Sequence, residues 1–322
     1  MKLAKQGKSE DVGYPKFKKR GQGSFTVSQN IKIEEGRIRV PYIGRQKQSE
    51  LKRQGLNQAQ VEALSWIRLK QKGYIPVDGD PGAVTISERG GKYFLSVQMD
   101  RDVEPGHFDE KSYVGVDVGI KSMLVTASHR FDSAACDYVK LPGKSYDSPR
   151  KYRTLAKRMK RLQRKISRQV KGSKSRSRTK LAIGRLHYAI SCHRSDAIHK
   201  ATTEIVKAMP EQNVVIEDLA TSNMVKNHNL ASSILNSSFF ELRRQLTYKC
   251  DWYGKDLVVA DRFYPSSKRC SACGSVKTAL SLAERTYECE CCGHEEDRDS
   301  NAASNLAQFP RLQEKTEEAI AS

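Results

Sequence analysis

The chain has 322 residues, with 57 Lys and Arg against 37 Asp and Glu and a formal net charge of +20. This length allows one large or two to three smaller domains with buried cores, and a basic excess of this size asks for an anionic partner, nucleic acid before all others. No apolar run reaches the length of a membrane span, and the N-terminal MKLAKQGKSEDVGYPKFKKR lacks a signal-peptide core, so a cytoplasmic protein with no membrane partner is predicted.

From the N-terminus, some twenty basic, turn-rich residues lead into FTVSQNIKIEEGRIRVPYIG. There Ile31, Ile33, Ile38 and Val40 alternate around Glu34-Glu35-Gly36, which predicts a hairpin with one buried face. Val61, Leu64, Ile67 and Leu69 recur at roughly helical spacing, predicting a helix over Ser49 to Lys72 that Gly55 weakens. A PVDGDPG turn precedes a second hairpin, AVTISERGGKYFLSVQMD, closed by Arg89-Gly90-Gly91.

A new unit opens at Tyr113. YVGVDVGIKSMLVTAS reads as an apolar strand broken at Asp117-Val118-Gly119 and followed at once by a second strand; a third around Asp137 to Leu141 completes a meander. A carboxylate inside such a run is costly to bury without a partner, so Asp117 is either a turn residue or a functional acid. Between Arg150 and Lys180 stand fifteen Lys or Arg and no acid. Tyr152, Leu155, Met159, Leu162 and Ile166 recur every three to four residues, predicting an amphipathic helix with Lys157, Arg158, Lys160, Arg161, Arg164, Lys165 and Arg168 on its cationic side. Like charges so crowded repel one another, which makes these seven candidate nucleic-acid ligands rather than a merely solvated face. KGSKSRSRTK reads as the loop of a helical hairpin, and the return helix turns Leu186, Ile190, Ala197, Ile198 and Ile205 inward before Pro210.

NVVIEDLA predicts a strand ending in Glu217 and Asp218, at the carboxyl end where α/β proteins gather functional groups. SSFFELRRQLTYKCDWYGK predicts a helix with Phe240, Leu242, Leu246 and Trp252 packed inward, and DLVVAD another strand. Then come Cys270-x2-Cys273, a fifteen-residue spacer and Cys289-x2-Cys292. Two knuckles bearing four thiolates match the tetrahedral sulfur shell that Zn²⁺ prefers, so one structural zinc is predicted. Gly274 and Gly293 follow the second Cys of each pair, where the knuckle turn calls for a positive φ. Cys291 competes for the second pair, but the matched spacing favours Cys292; Cys136, Cys192, Cys250 and Cys291 read as plain thiols. Beyond the cysteines lie Asp297 and Asp299, a short helix SNAASNLAQF whose Ala302 and Ala303 permit close packing, and a frayed tail from Pro310.

Asp117, Glu217 and Asp299 therefore stand far apart in sequence, each at the edge of a core element. That is what a two-metal phosphodiester cleavage site needs: carboxylates bind two hard Mg²⁺ ions through oxygen and leave room for water and phosphate. Asp299 is favoured over Asp297, which could cap the helix; Asp299 could also be a simple first-turn acid.

GVDVG, VVIEDL, the spaced cysteine pairs and DRDSNAASN, in this order, resemble the RuvC-type nuclease of the TnpB (OrfB) proteins of insertion sequences, relatives of the type V CRISPR effectors. KRLQRKISRQVKGSK, RRQLTYKCDWYGK and FYPSSKRCSACG extend the likeness from about Tyr14 to Asn305. The resemblance implies an α/β fold with an RNase H-like (RuvC) mixed sheet, an inserted basic helical hairpin and a zinc ribbon, after a mostly β N-terminal module. It implies Asp117, Glu217 and Asp299 as the catalytic acids, a guide RNA, and cleavage of the target DNA that pairs with it. The corresponding divisions are a partial wedge-like module over 1–110 and a nuclease core over 111–265 with its hairpin at 150–209. A ribbon over 266–295, a last-motif helix over 296–309 and a tail over 310–322 follow. YPKFKKRGQGSF resembles a segment that follows the family's recognition region, which implies that its first strand and recognition helices are not in this sequence. The alternatives are a non-catalytic RNA- or DNA-binding regulator, which loss of an acid would favour although none is lost, and an inactive truncated remnant. A strand-joining transposase would need a Tyr nucleophile beside paired His ligands, and no such constellation stands out.

Overall fold

The computed structural model describes residues 24–39, 66–73, 81–100, 102–119, 122–147, 151–219, 239–281 and 284–321, with residues 55, 57, 60, 63 and 75. The basic N-terminus, most of the helix expected over Ser49 to Lys72 and most of the PVDGDPG turn lie outside them. The chain forms two compact units, one of Met1–Asp102 with Arg161–Tyr188 and one of Val103–Lys160 with Ala189–Ser322.

In the first unit, β1 (Ser24–Val27), β5 (Pro81–Arg89) and β6 (Lys92–Met99) form one antiparallel sheet, and β2 (Lys32–Glu34), β3 (Arg37–Arg39) and β4 (Trp66–Arg68) another. Both predicted hairpins form: β2 and β3 turn at Glu35-Gly36, and β5 and β6 at Gly90-Gly91, whose φ angles of 63° and 75° suit a tight primed turn. Ile38 and Val84 are fully buried and gather Ile33, Ile67, Leu69, Ile86, Leu95 and Val97 about them. The expected helix is corrected at its end. Trp66–Arg68 is a strand, because Ile67 pairs with Ile38 across β3 and enters this core, a burial that outweighs the helical spacing. A helix start survives at Asn57 and Gln60, whose side chains bond each other's backbone N–H at 2.9 Å as a capping box.

The basic hairpin consists of α1 (Lys151–Arg168) and α2 (Lys174–Lys207). Its loop is shorter than expected, since residues 174–180 are helical. Ser173 caps α2 through the Arg176 N–H at 3.2 Å, and the Arg176 guanidinium reaches back to the Ile166 and Gln169 carbonyls that end α1.

The second unit is built on a mixed sheet of order β10-β8-β7-β11-β12, with β9 also on β8. Here β7 spans Asp109–Asp117, β8 Ser122–Asp132, β9 Asp137–Leu141, β10 Ser145–Asp147, β11 Glu211–Glu217 and β12 Asp256–Ala260. β7 and β8 are antiparallel, while β11 runs parallel to both β7 and β12. On one face Val114, Val116, Leu124, Val214 and Ile216 pack against Ile198, Ala201 and Ile205 of α2 and Leu242 and Leu246 of α3 (Phe239–Tyr253). On the other, Tyr113, Val215 and Ala260 meet Leu306 and Ala307 of α4 (Arg298–Ala321), and Val125 and Ala127 meet Ala303.

Two expectations fail in this unit. Phe240 and Trp252 of α3 are exposed, and Phe239, Gln245, Lys249 and Cys250 take the inward positions with Leu242 and Leu246. The tail from Pro310 is not frayed at its start, since α4 continues to Ala321 through a buried Pro310. Contacts on both sides of that proline hold the helix: Phe309 stacks on Tyr264 at 4.9 Å, and the Arg311 guanidinium lies 3.8 Å over the Tyr138 ring. Among the described residues no helix is long and apolar enough to cross a membrane.

Candidate functional site

Strand parity decides where the acids point. Along β7, Val114 and Val116 face α2 and α3, so Tyr113, Gly115 and Asp117 face α4. The same alternation along β11 puts Val215 and Glu217 on the α4 side. The two strands are parallel neighbours in register at Val116–Ile216, so their carboxylates follow one residue later, side by side at the carboxyl end of the sheet. α4 lies across this face, and Asp299 sits in its first turn.

The crossing is close because Gly115 has no side chain: a Cβ there would stand 1.9 Å from the Ala303 carbonyl oxygen and 2.5 Å from the Ala307 nitrogen. Ala303 and Ala307 are fully buried beneath this contact; the close packing expected of Ala302 and Ala303 extends to Ala307, which the sequence reading did not single out. Asp297 is the N-cap, accepting the N–H groups of Asp299 at 3.0 Å and Ser300 at 3.2 Å. Its oxygen is thus occupied by the helix, and Asp299 turns toward the sheet acids. Burial, then the charges of Asp299 and Glu217, push the Asp117 carboxyl up to about 8 against the pull of Arg298. Burial and Asp218 raise Glu217 as well. Asp218 is set apart by two arginines, Arg243 at 2.7 Å and Arg262 at 2.5 Å, whose hydrogen bonds hold it below the usual carboxylate range. So the structure brings Asp117, Glu217 and Asp299 together and diverts Asp218 and Asp297 to structural bonds.

A half-buried cluster of carboxylates, with Asp117 and Glu217 both raised, fits a divalent cation, since hard carboxylate oxygens are the donors that Mg²⁺ takes. Among the described residues only the four cysteines bring three or more ligand atoms within 4.8 Å of one another, so the acids are spaced more widely than a single-ion cage.

Cys270, Cys273, Cys289 and Cys292 do form such a cage. The sulfurs of Cys270 and Cys292 lie 3.7 Å apart and those of Cys273 and Cys289 3.6 Å, against about 3.8 Å for the edge of a tetrahedron with Zn–S bonds of about 2.3 Å. The cluster is therefore compatible with zinc. Each knuckle turns as expected: Gly274 N–H donates to Cys270 O at 3.0 Å and Gly293 N–H to Cys289 O at 2.9 Å, with φ of 78° and 70°. β13 (Thr286–Glu288) pairs antiparallel with β14 (Glu295–Asp297), which runs directly into α4. Tyr287, fully buried, packs on Cys270 and Cys289. Cys291 is exposed and outside the cage.

The sequence reading missed the fastening between ribbon and helix. Asn301 donates to Arg269 O at 2.8 Å and accepts the Ser271 N–H at 3.0 Å. Asn305 donates to Ser266 O at 2.8 Å and Arg269 O at 2.6 Å, and Gln308 to Ser271 O at 2.8 Å. Their spacing, i, i+4 and i+7, was the available signal of one helix face. Of the predicted basic ligands, Lys157, Arg158, Lys160, Arg161, Arg164, Lys165 and Arg168 are all exposed along α1.

Fold and site define a mixed-sheet α/β protein whose acidic edge is tied through one helix to a four-cysteine ribbon. Residues 95–228 match the family model described as "Probable transposase" (OrfB of IS605), and residues 239–306 the model "Cas12f1-like, TNB domain". A "Putative RNA-guided DNA endonuclease" of Streptomyces pristinaespiralis is 37% identical over 233 residues, covering 72% of this chain and 54% of the relative. The "Putative RNA-guided DNA endonuclease InsQ" of Escherichia coli K12 is 30% identical over 315 residues, covering 92% and 68%. The cryo-EM structure of a Cas12f1–sgRNA–target DNA complex shares the fold with a TM-score of 0.57 at 18% identity, over 95% of this chain and 67% of that one. The chain belongs to the TnpB (IS605 OrfB) family. It spans about half to two thirds of the length of these curated relatives.

Proposed function

We propose that this chain is a mobile-element endonuclease that hydrolyses phosphodiester bonds in DNA at Asp117, Glu217 and Asp299, with an RNA guide selecting the target. The observation that carries the reading is the placement of three acids from two parallel strands and a helix start, where the charges of Asp299 and Glu217 bear on Asp117. The strand order β10-β8-β7-β11-β12, with three antiparallel strands followed by two parallel ones, supports an RNase H-like (RuvC) core. The similarity to relatives named as RNA-guided DNA endonucleases supports guidance by RNA.

In this reading the three carboxylates hold two Mg²⁺ ions, which supply activation of the attacking water and neutralisation of the leaving oxygen. Burial and the charges of Asp299 and Glu217 favour a protonated Asp117, a cost that a bound cation would relieve. Asp297 fixes the turn that aims Asp299, and Arg243 and Arg262 hold the Asp218 carboxylate in ion pairs, leaving Glu217 as the ligand at the end of β11. Cys270, Cys273, Cys289 and Cys292 hold one zinc ion whose part is structural. Lys157, Arg158, Lys160, Arg161, Arg164, Lys165 and Arg168 bind nucleic-acid phosphates.

The test is to purify the protein with its co-purifying RNA, sequence that RNA, and assay Mg²⁺-dependent cleavage of matching DNA. Asp117→Ala and Glu217→Ala are each expected to lower cutting about a thousandfold or more, the several kcal/mol that metal-assisted hydrolysis supplies, without releasing the RNA. Undiminished cutting by either variant overturns the assignment.

A further inference from the structure

α3 carries its large aromatics on the wrong side for a helix that merely covers a sheet. Phe240 is 76% exposed and Trp252 54% exposed, while Gln245 is fully buried and Lys249 nearly so. The inversion is held in place by hydrogen bonds to α2. Gln245 accepts the Thr202 hydroxyl at 3.0 Å and donates to Glu241 at 2.8 Å. The Lys249 ammonium donates to Thr202 at 2.6 Å, Thr203 at 2.8 Å and the His199 carbonyl at 3.0 Å. Rotating α3 to bury Phe240 and Trp252 would break this satisfied network and strand its polar atoms, so the helix has one rotational setting.

In that setting Phe240, Arg244, Tyr248 and Trp252 follow one another every fourth residue, rising about 6 Å and turning about 40° per step. The Arg244 guanidinium lies 5.4 Å over the Tyr248 ring, and the Tyr248 and Trp252 rings meet edge-on at 4.6 Å. The outer end is the exposed indole. The inner end, Phe240, lines a cavity of about 180 Å³ with Val118, Glu217, Leu219 and Arg243. Exposed rings and a guanidinium are what unpaired bases stack on, and one end of the row opens beside Glu217.

We infer that this row is a stacking track for single-stranded DNA, leading the unpaired strand along α3 to Glu217. The proposal rests on the nuclease reading for the identity of the strand, and the basic character of the chain suits the occupant better than a protein partner.

Binding is measured on the full chain in EDTA, so that it is independent of cutting, by anisotropy of labelled oligothymidylate, oligouridylate and a duplex of equal length. Trp252→Ala and Phe240→Ala are each expected to weaken oligothymidylate binding about tenfold and the pair by more, with Trp252→Phe largely retained. The salt dependence stays unchanged, because no phosphate contact is lost. As Trp66 and Trp252 are the only tryptophans, a Trp66→Phe protein reports directly: oligothymidylate should quench the indole. Wild-type affinity in the double variant, absence of quenching, or tighter binding of oligouridylate overturns the proposal. Tenfold weaker binding by these variants beside cutting that survives Asp117→Ala would instead sink the nuclease reading alone.

Discussion

The four thiols and the three carboxylates solve opposite problems with the same helix. The cysteine cage is local: two knuckles with the same backbone bonds bring four sulfurs together within one short stretch of chain. The acidic centre is assembled from β7, β11 and α4, more widely spaced, with Asp117 held at about 8 by burial and by its neighbours. A closed cage suits an ion that stays; an open, mutually repelling set suits ions that share their coordination with water and substrate. α4 joins the two, presenting Asp299 from its first turn and Asn301, Asn305 and Gln308 to the first knuckle.

If the cage serves the acids through that helix, breaking it must reach them. Cys289→Ser is expected to bring bound zinc well below one per chain and, by loosening β14 and the start of α4, to lower DNA cutting about a hundredfold; metal analysis beside the cleavage assay checks it. Full activity with the zinc gone would separate the two centres.

Gly115→Ala attacks the same link from the sheet. A methyl group 1.9 Å from the Ala303 carbonyl must displace backbone, so destabilisation of about 3 kcal/mol is expected, read by urea unfolding, together with a fall in cutting. Asn305→Ala leaves the cage intact but orphans the Ser266 carbonyl and takes one of two amide donors from Arg269 O, at a cost of about 1–3 kcal/mol. Zinc content should hold at one while cutting drops, which distinguishes fastening from metal binding.

A further effect concerns pH. His129, 5% exposed, contacts the Ser304 hydroxyl of α4 at 2.8 Å, and burial, with help from Lys140 and Arg311, lowers its pKa to about 4. The unfolded chain therefore binds the extra proton between about pH 6.5 and 4, and stability falls as the pH drops through that window, by up to about 1.4 kcal/mol per unit. His129→Asn should flatten this part of the pH–stability profile; an unchanged slope would mean that the seam between β8 and α4 does not require a neutral ring.

Much of the site was legible because its signals are local. Cysteine spacing, with glycine after each pair, reflects backbone geometry inside a few residues, and Asp297 could be named as a cap because capping is a contact across two positions. The hairpins at Gly36 and Gly90 and the strands ending at Asp117 and Glu217 follow from period-two patterning in the same way. Periodicity misled where two faces were both plausible. Leu242 and Leu246 are compatible with a buried face that includes Phe240 and Trp252 or with the one that includes Gln245 and Lys249, and only hydroxyls and a carbonyl on α2 choose between them. Ile67 has a helical neighbour spacing but a strand partner, Ile38, twenty-nine residues earlier.

By itself, then, the sequence determined which residues could act as ligands and which short elements would carry them, because residue chemistry and backbone preference operate over a few positions. The tertiary structure alone decided that Asp218 belongs to Arg243 and Arg262 while Glu217 joins Asp117, that α4 runs on through Pro310, and that Gly115 admits its backbone. Each of these depends on atoms brought together from distant positions, where burial and the competition for hydrogen-bond partners set the outcome.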